Sequence, residues 1–345
     1  MRKIFIVIQA FIFFIFIGII SSPAQQNERK QKAVCIAFYN VENLFDTIDD
    51  PFTDDEEFLP EGVNQWNSSK YLVKLNRLAE VISHIGDDYI NGGPAILGLS
   101  EIENRRVLED LIKMPELSKQ GYAIVHFDSP DNRGVDVALL YKYHVFKVSS
   151  ARTFPLKMPN RPDFDTRDQL VVSGTIDGEM LHFIVNHWPS RFQGPEYRAA
   201  AASLTRRLVD SLQNLYPQAK VIVMGDLNDD PTDPSVSIIL NAKGEKKEVH
   251  PGDLYNPMWK LFKNGVGSLA YRDNWNLFDQ IILTYPLINQ ENNGFKFYTA
   301  RVFNKKFLFN KEGQYKGYPF RTFAGGAYQG GYSDHLPVYV ILVKE

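Results

Sequence analysis

The feature that most constrains this chain of 345 residues is the recurrence of short strand-like runs with few helices between them. Candidate strands fall at 34–41, 95–101, 122–127, 135–141, 169–176, 180–187, 220–225, 278–283, 296–303 and 337–343. Each is rich in β-branched or aromatic residues and bounded by Gly, Pro, Asn or Asp. Two stretches carry apolar residues at helical spacing: 71–85, through Leu72, Leu75, Leu78, Ala79 and Ile82, and 197–215, through Ala201, Leu204, Leu208 and Leu212. Such a pattern predicts an α/β four-layer sandwich, with two mainly antiparallel β-sheets packed face to face and helices on the outside. No internal repeat and no Gly/Ser-rich linker interrupts it, so 34–345 is expected as one domain.

The start of the chain reads differently. Arg2 and Lys3 precede an apolar run over 4–20, and Ser22-Pro23-Ala24 offers small residues ahead of Gln25. Residues 1–24 are therefore expected to be an export signal, followed by a polar linker over 25–33. The expected location is periplasmic or secreted; an uncleaved membrane anchor is the alternative, the run being at the short end for a span. Cys35 is the single cysteine, so export brings no internal disulfide. It lies in the apolar run Val34-Cys35-Ile36-Ala37-Phe38 and is expected to be a buried small hydrophobe. A formal charge of −3 neither advertises nucleic acid nor excludes it, since a local basic strip can bind phosphates on an acidic protein.

Polar residues gather where the strand-like runs end. Asn40 and Glu42 stand at the close of the first, Ser100-Glu101 closes the second, Arg133 precedes the fourth and Asp136 stands at its start. Asn186-His187-Trp188-Pro189-Ser190 ends another, and Gly225-Asp226-Leu227-Asn228-Asp229 ends the strand after the second helix. Phe278-Asp279-Gln280 and Ser333-Asp334-His335-Leu336-Pro337 complete the set. Taken singly, each has a bland reading as a turn, a cap or a surface acid. Asp226-Leu227-Asn228-Asp229-Asp230 resembles the opening of a calcium loop, but the sixth position is Pro231 and the twelfth is Ser237. Together they supply oxygen donors for a hard cation and two histidines with carboxylates to serve them. Hydrolysis of a phosphate ester needs these parts: a cation on the phosphate oxygens, a base for water and an acid for the departing oxygen.

The ordered series Asn-Val-Glu-Asn, Ser-Glu-Ile-Glu, Asn-His-Trp-Pro-Ser, Gly-Asp-Leu-Asn-Asp, Phe-Asp-Gln and Ser-Asp-His-Leu-Pro-Val closely resembles the endonuclease/exonuclease/phosphatase superfamily, over Val34 to Val343. The resemblance implies a catalytic domain that hydrolyses phosphoric esters with Mg2+ or Mn2+. It implies Asn40 and Glu101 as metal-side residues, with Asp334 opposite and Glu42 an acid near the metal. Asp226 would position or deprotonate water, Asn228 would contact the phosphate, and His335 would sit beside it, oriented by Asp279. His187 would be the second histidine, with Asp136 its expected partner.

Two segments bear on substrate. The acidic stretch 46–61 is expected to be a solvated insertion, with a calcium loop as the alternative. Residues 301–323 mix Arg301, Lys305, Lys306, Lys311, Lys316 and Arg321 with Phe and Tyr, as a surface for extended nucleic acid would. Arg133, Lys305, Lys306 and Lys311 are accordingly expected to bind substrate, and DNA or RNA is the expected partner of a nuclease. The alternatives are an edge strand whose aromatics pack inward, and a phospholipid or small phosphoester substrate. A noncatalytic binding module is disfavoured by retention of the whole acid–histidine set. Nothing in the sequence marks a protein partner, and a monomer is expected.

Overall fold

A computed structural model describes residues 32–344 apart from 159 and 292. The expected export signal, and the linker as far as residue 31, lie outside the described residues. In chain order the strands are β1 (Lys32–Leu44), β2 (Ile96–Ile102), β3 (Tyr122–His126), β4 (Asp136–Lys142), β5 (Phe146–Phe154), β6 (Gln169–Ile176), β7 (Glu179–His187), β8 (Lys220–Asp226), β9 (Ala242–Lys243), β10 (Leu254–Tyr255), β11 (Leu269–Tyr271), β12 (Asn274–Asn276), β13 (Asp279–Thr284), β14 (Lys296–Val302), β15 (Phe323–Ala324), β16 (Ala327–Tyr328) and β17 (Val338–Lys344). The helices are α1 (Ser68–His84), α2 (Arg105–Ile112), α3 (Pro195–Leu215) and α4 (Met258–Lys263). None among the described residues is long and apolar enough to cross a membrane.

One sheet has the order β14-β17-β1-β2-β4-β3 and the other β5-β6-β7-β8-β13-β10-β9. Most neighbours are antiparallel. The exceptions are β1 with β2, β7 with β8, and the short pair β9 and β10. Parallel neighbours need a crossover, and the first two pairs have one in α1 and α3 respectively. Asn67 caps α1 by accepting from the Ser69 and Lys70 amides, and Asn104 caps α2 through Val107. Pro195 opens α3, where a missing N–H costs nothing.

Alternation along β8 shows how the layers stack. Ile222 and Met224 belong to the cluster shared with β1, β2 and β4, while Val221 and Val223 pack with Ala201, Leu208 and Val209 of α3. Leu75, Leu78, Ala79 and Ile82 of α1 join the cluster of β1 and β2. Within the second sheet, Phe146 of β5 meets Phe183 of β7 edge-on at 5.3 Å. A Cβ at Gly98 would stand 2.6 Å from Met224 Sδ and 3.1 Å from Phe38 Cδ2, so a side chain there would force the Met224 side chain to shift. Cys35 is buried as expected, and burial pushes its thiol far above the ordinary range.

All ten expected strands are present, with ends displaced by a few residues; β1 begins at Lys32, inside the expected linker. β5 escaped sequence reading because it is an edge strand whose exposed Lys, Ser and Arg residues dilute its apolar pattern. The acidic stretch is not wholly solvated. Phe45 and Phe58 stack at 4.2 Å, and with Trp66 and Val135 they form a small core of their own.

Replacing Gly98 with Val should overpack the contact between the sheets and cost about 1–3 kcal/mol. Urea unfolding should show a lower midpoint at an unchanged slope. An unchanged midpoint would contradict the close approach at Met224.

Candidate active site

The two crossovers determine where chemistry can occur. Because β1 runs parallel to β2, and β7 to β8, the C-terminal ends of all four strands carry Asn40, Glu101, His187 and Asp226. His187 is the register partner of Asp226, and Asp279, the first residue of antiparallel β13, is its partner on the other side. Ser333-Asp334-His335 leads into β17, which pairs with β1. The Ser333 hydroxyl donates to the Asn40 carbonyl at 2.8 Å and accepts from the His335 amide at 3.0 Å, which ties that turn to β1.

Local backbone distortion aims several of these side chains. Glu42, Asn43, Glu101 and Asn228 all have φ between +51° and +63°, a left-handed conformation uncommon for non-glycine residues. The β1–β2 and β2–β4 ladders slip beside Glu42 and Glu101, as bulges that redirect side chains do.

Asp226 is the hub. Its Oδ2 accepts from the Asn40 side-chain amide at 3.0 Å, and its Oδ1 accepts from the Asn228 backbone amide at 2.9 Å. The same Oδ2 lies 3.7 Å from His187 Nε2 and 3.8 Å from His335 Nε2. Asn40 also donates to Glu101 at 3.1 Å, and Asn43 N–H donates to the other Glu101 oxygen at 3.0 Å. Asn228 donates its side-chain amide to the Trp188 carbonyl at 3.0 Å. His335 Nδ1 is 2.7 Å from Asp279 Oδ2, which also accepts from the Ser268 hydroxyl.

Burial and charge separate the protonation states. Burial raises Asp226 to about 7 against the lowering pull of His335. Burial alone would lower His335, but the adjacent Asp279 carboxylate, with Asp226 and Asp334 behind it, holds this imidazole well above its ordinary range. His187 goes the other way: burial first, then the charges of Arg167, Arg133 and His335, keep it neutral. An acid poised near neutrality, a cationic histidine and a neutral one therefore share one dry edge.

The donors suit a hard divalent cation. Ligand atoms of Asp226, Asp279 and His335 lie within 4.8 Å of one another. Asp279 and His335 are bonded to each other, so that trio is better suited to proton handling than to holding an ion. Glu101 is the better anchor, since among the described residues its oxygens accept only from neutral amides and no Lys or Arg lies within ion-pair distance of it. Oxygen donors without thiolate fit Mg2+ or Mn2+.

Some expected residues sit elsewhere. Asp136 does not serve His187; it bonds His126 Nε2 at 2.9 Å and the Ser129 amide at 2.8 Å. The cause is topological, since β3 is the direct neighbour of β4 while β7 lies in the other sheet. His187 Nδ1 has no hydrogen-bond partner among the described residues. Glu42 is committed to Arg321 Nε at 2.8 Å and the Thr322 amide at 2.6 Å, with buried Lys74 4.0 Å away, so it anchors a loop. Arg133 is held by Asp131, which also binds Arg167, and both charges reach Glu101. Lys305 pairs with Asp88 at 2.7 Å, and Lys306 and Lys311 are exposed. Phe303, Phe307, Phe309 and Phe320 pack in or against the main core, which corrects the expectation of an exposed aromatic surface for these four, while Tyr315 is exposed.

Sequence reading missed Arg167, Lys74, Ser268 and Arg321 as parts of this site. Arg167 is buried beneath the Trp188 carbonyl, and Arg321 bonds Asp334 at 2.9 Å. None belongs to a motif. Only Arg321 carried a signal, as one cation among the six of 301–323.

Two packed sheets that bring carboxylates and histidines to one edge define a phosphoesterase fold. The chain belongs to the Endonuclease/Exonuclease/phosphatase family, whose model matches residues 35–344. Members of that family are phosphoester hydrolases. Among solved structures, a Bacteroides thetaiotaomicron protein of this family is 17% identical, with 92% of this chain and 96% of that one covered at a TM-score of 0.55. D. rerio TDP2 complexed with a single-strand DNA product is 15% identical, with 90% and 98% covered and a TM-score of 0.54. A B. thetaiotaomicron mannosyl-6-phosphatase is 17% identical, with 90% and 99% covered and a TM-score of 0.54. At these identities the likeness is one of fold. No curated protein matches the chain.

Replacing Asp226 with Asn, or His335 with Ala, should lower kcat on a phosphoester about a hundredfold to ten-thousandfold. Replacing Asp279 with Asn removes the carboxylate that keeps His335 protonated. If the imidazolium is the acid, activity falls as pH rises through its pKa, so this variant should lose activity at lower pH than the parent. Coincident pH profiles would contradict the Asp279–His335 pairing.

Proposed function

We propose that this protein is a divalent-metal-dependent phosphoester hydrolase. The observation that carries the reading is the placement of Asp226, raised to about 7, between two histidines of opposite protonation and next to Glu101. Glu101, with Asn40 beside it and Asp334 opposite, would hold the ion. Bound there, Mg2+ or Mn2+ supplies Lewis-acid stabilisation of charge on the phosphoryl oxygens.

The chain's own groups supply the rest. Asp226, buried and close to its titration point, accepts a proton from the attacking water. The Asn228 amide orients that carboxylate, and the Trp188 carbonyl fixes the Asn228 side chain. His335, kept cationic by Asp279, donates a proton to the departing oxygen or a hydrogen bond to the phosphoryl group. His187, neutral and facing both Asp226 and Glu101, contributes a ring N–H or lone pair without adding charge.

A second reading concerns substrate: cleavage of DNA or RNA, as expected of a nuclease. D. rerio TDP2, solved with a DNA product, shares the fold, and Lys306 and Lys311 are exposed. Inward packing of Phe303, Phe307, Phe309 and Phe320 weakens the stacking half of that argument, leaving Tyr315, Tyr318 and Phe323, which line a cavity. Export remains part of the proposal, tested by recovering the protein from periplasm or medium.

Hydrolysis of a chromogenic phosphomonoester, a chromogenic diester, a hexose phosphate and plasmid DNA should require Mg2+ or Mn2+ after chelation. Full activity in metal-free protein would overturn the reading. If DNA is the substrate, Lys305, Lys306 and Lys311 together changed to Ala should flatten the salt dependence of binding, by about 0.9 per lost duplex phosphate contact. Equal slopes would remove the segment from any nucleic-acid role.

A further inference from the structure

The loop that leads into β17 and the β11–β12 hairpin face one another across a cavity of about 630 Å3. That size lies within the range of about 300–1,000 Å3 common for small-molecule sites. Tyr271 and Arg272 come from the hairpin, and Tyr315, Tyr318 and Phe323 come from the loop. The lining also includes Arg321 and Asp334, so the cavity adjoins the metal side of the active site.

Its walls are fixed in advance. The Tyr318 hydroxyl accepts from the Asp273 amide at 2.7 Å and donates to the Asp273 carboxylate, which joins loop to hairpin. The Asn310 side chain donates to the Pro319 carbonyl at 3.0 Å, bracing the loop from within. Arg321 and Thr322 are held by Glu42, and buried Lys74 bonds the Thr322 hydroxyl at 2.6 Å. Glu42 and Lys74 thus have a purpose outside the proton transfers: they anchor the cavity next to the reacting centre.

We propose that this cavity binds the non-phosphate part of the substrate, and that this part is a single sugar ring. The proposal rests on the phosphoester-hydrolase reading above. Tyrosine and phenylalanine faces suit the C–H faces of a sugar, while Arg272 and the amides of Gln314 and Gln329 can meet its hydroxyls. A polynucleotide path would need free cations in a row, but Arg321 is committed to Glu42 and Asp334. A lipid tail would need apolar walls, whereas these are hydroxyl-, amide- and guanidinium-bearing. The charges also balance locally, with Arg272 and Arg321 set against Asp273 and Asp334.

The test uses Arg272→Ala and Tyr315→Ala, both remote from the proton-transferring groups. Calorimetric binding of a hexose 6-phosphate and of a nucleoside monophosphate would be measured alongside hydrolysis of both and of p-nitrophenyl phosphate. The parent should bind the hexose phosphate in preference. Each variant should weaken that binding and raise its KM by about tenfold, leaving kcat on p-nitrophenyl phosphate unchanged. No binding of the hexose phosphate by the parent, a preference for the nucleotide, or equal loss on all substrates would overturn the inference. Binding of the sugar phosphate that depends on Tyr315, without hydrolysis of any ester, would uphold the cavity and sink the hydrolase reading. Turnover of p-nitrophenyl phosphate without sugar binding would do the reverse.

Discussion

Burial of acidic groups is the constraint around which this edge of the molecule is arranged. Glu101, Asp226, Asp279 and Asp334 converge there, and Asp226 and Asp279 are fully or nearly fully buried. Carboxylates so placed cannot all ionise without compensation. Asp279 has His335 and the Ser268 hydroxyl, and Asp334 has Arg321. Asp226 is left to rise to about 7, and Glu101 keeps only neutral donors. Negative charge is concentrated where a divalent ion would relieve it, beside an acid that burial raises to about 7.

Topology makes that concentration possible. Two βαβ crossovers send four strands in the same sense as their neighbours, and the sheets pack closely enough for Met224 to lie against Gly98. Strand ends from both sheets then meet at one edge. The distortions at Glu101 and Asn228 turn side chains inward where a regular strand would alternate them away. The Glu42–Lys74–Arg321 network fastens the β17 approach to β1 and α1, coupling the cavity wall to the catalytic turn.

Much of this was legible in the sequence, because strand ends and motifs are local. Asn40, Glu101, His187 and Asp226 sit where a run of apolar residues stops, Asp279 and His335 where one begins, and the structure brings them together. Pairings across the sheets were not legible. Asp136 precedes an apolar strand just as a partner for His187 might, yet strand order gives it to His126. Glu42 lies two residues from Asn40, but its left-handed backbone points it to Arg321. The phenylalanines of 301–323 alternate with lysines, a pattern equally compatible with stacking on bases and with packing under a loop; only the folded loop, which lays Phe303, Phe307, Phe309 and Phe320 in or against the main cluster, decides for the core. Arg167 and Lys74 are buried cations, which no composition or spacing rule would have selected.

The central claim is that Glu101, whose oxygens accept hydrogen bonds only from neutral amides, makes this edge a divalent-cation site. Direct titration with Mn2+, followed by electron paramagnetic resonance of the free ion, tests it without reference to substrate. The parent should bind Mn2+, Mg2+ should compete, and Glu101→Gln should weaken binding by at least about tenfold while unfolding at the parent's urea midpoint. Equal Mn2+ affinity in parent and variant would contradict the account.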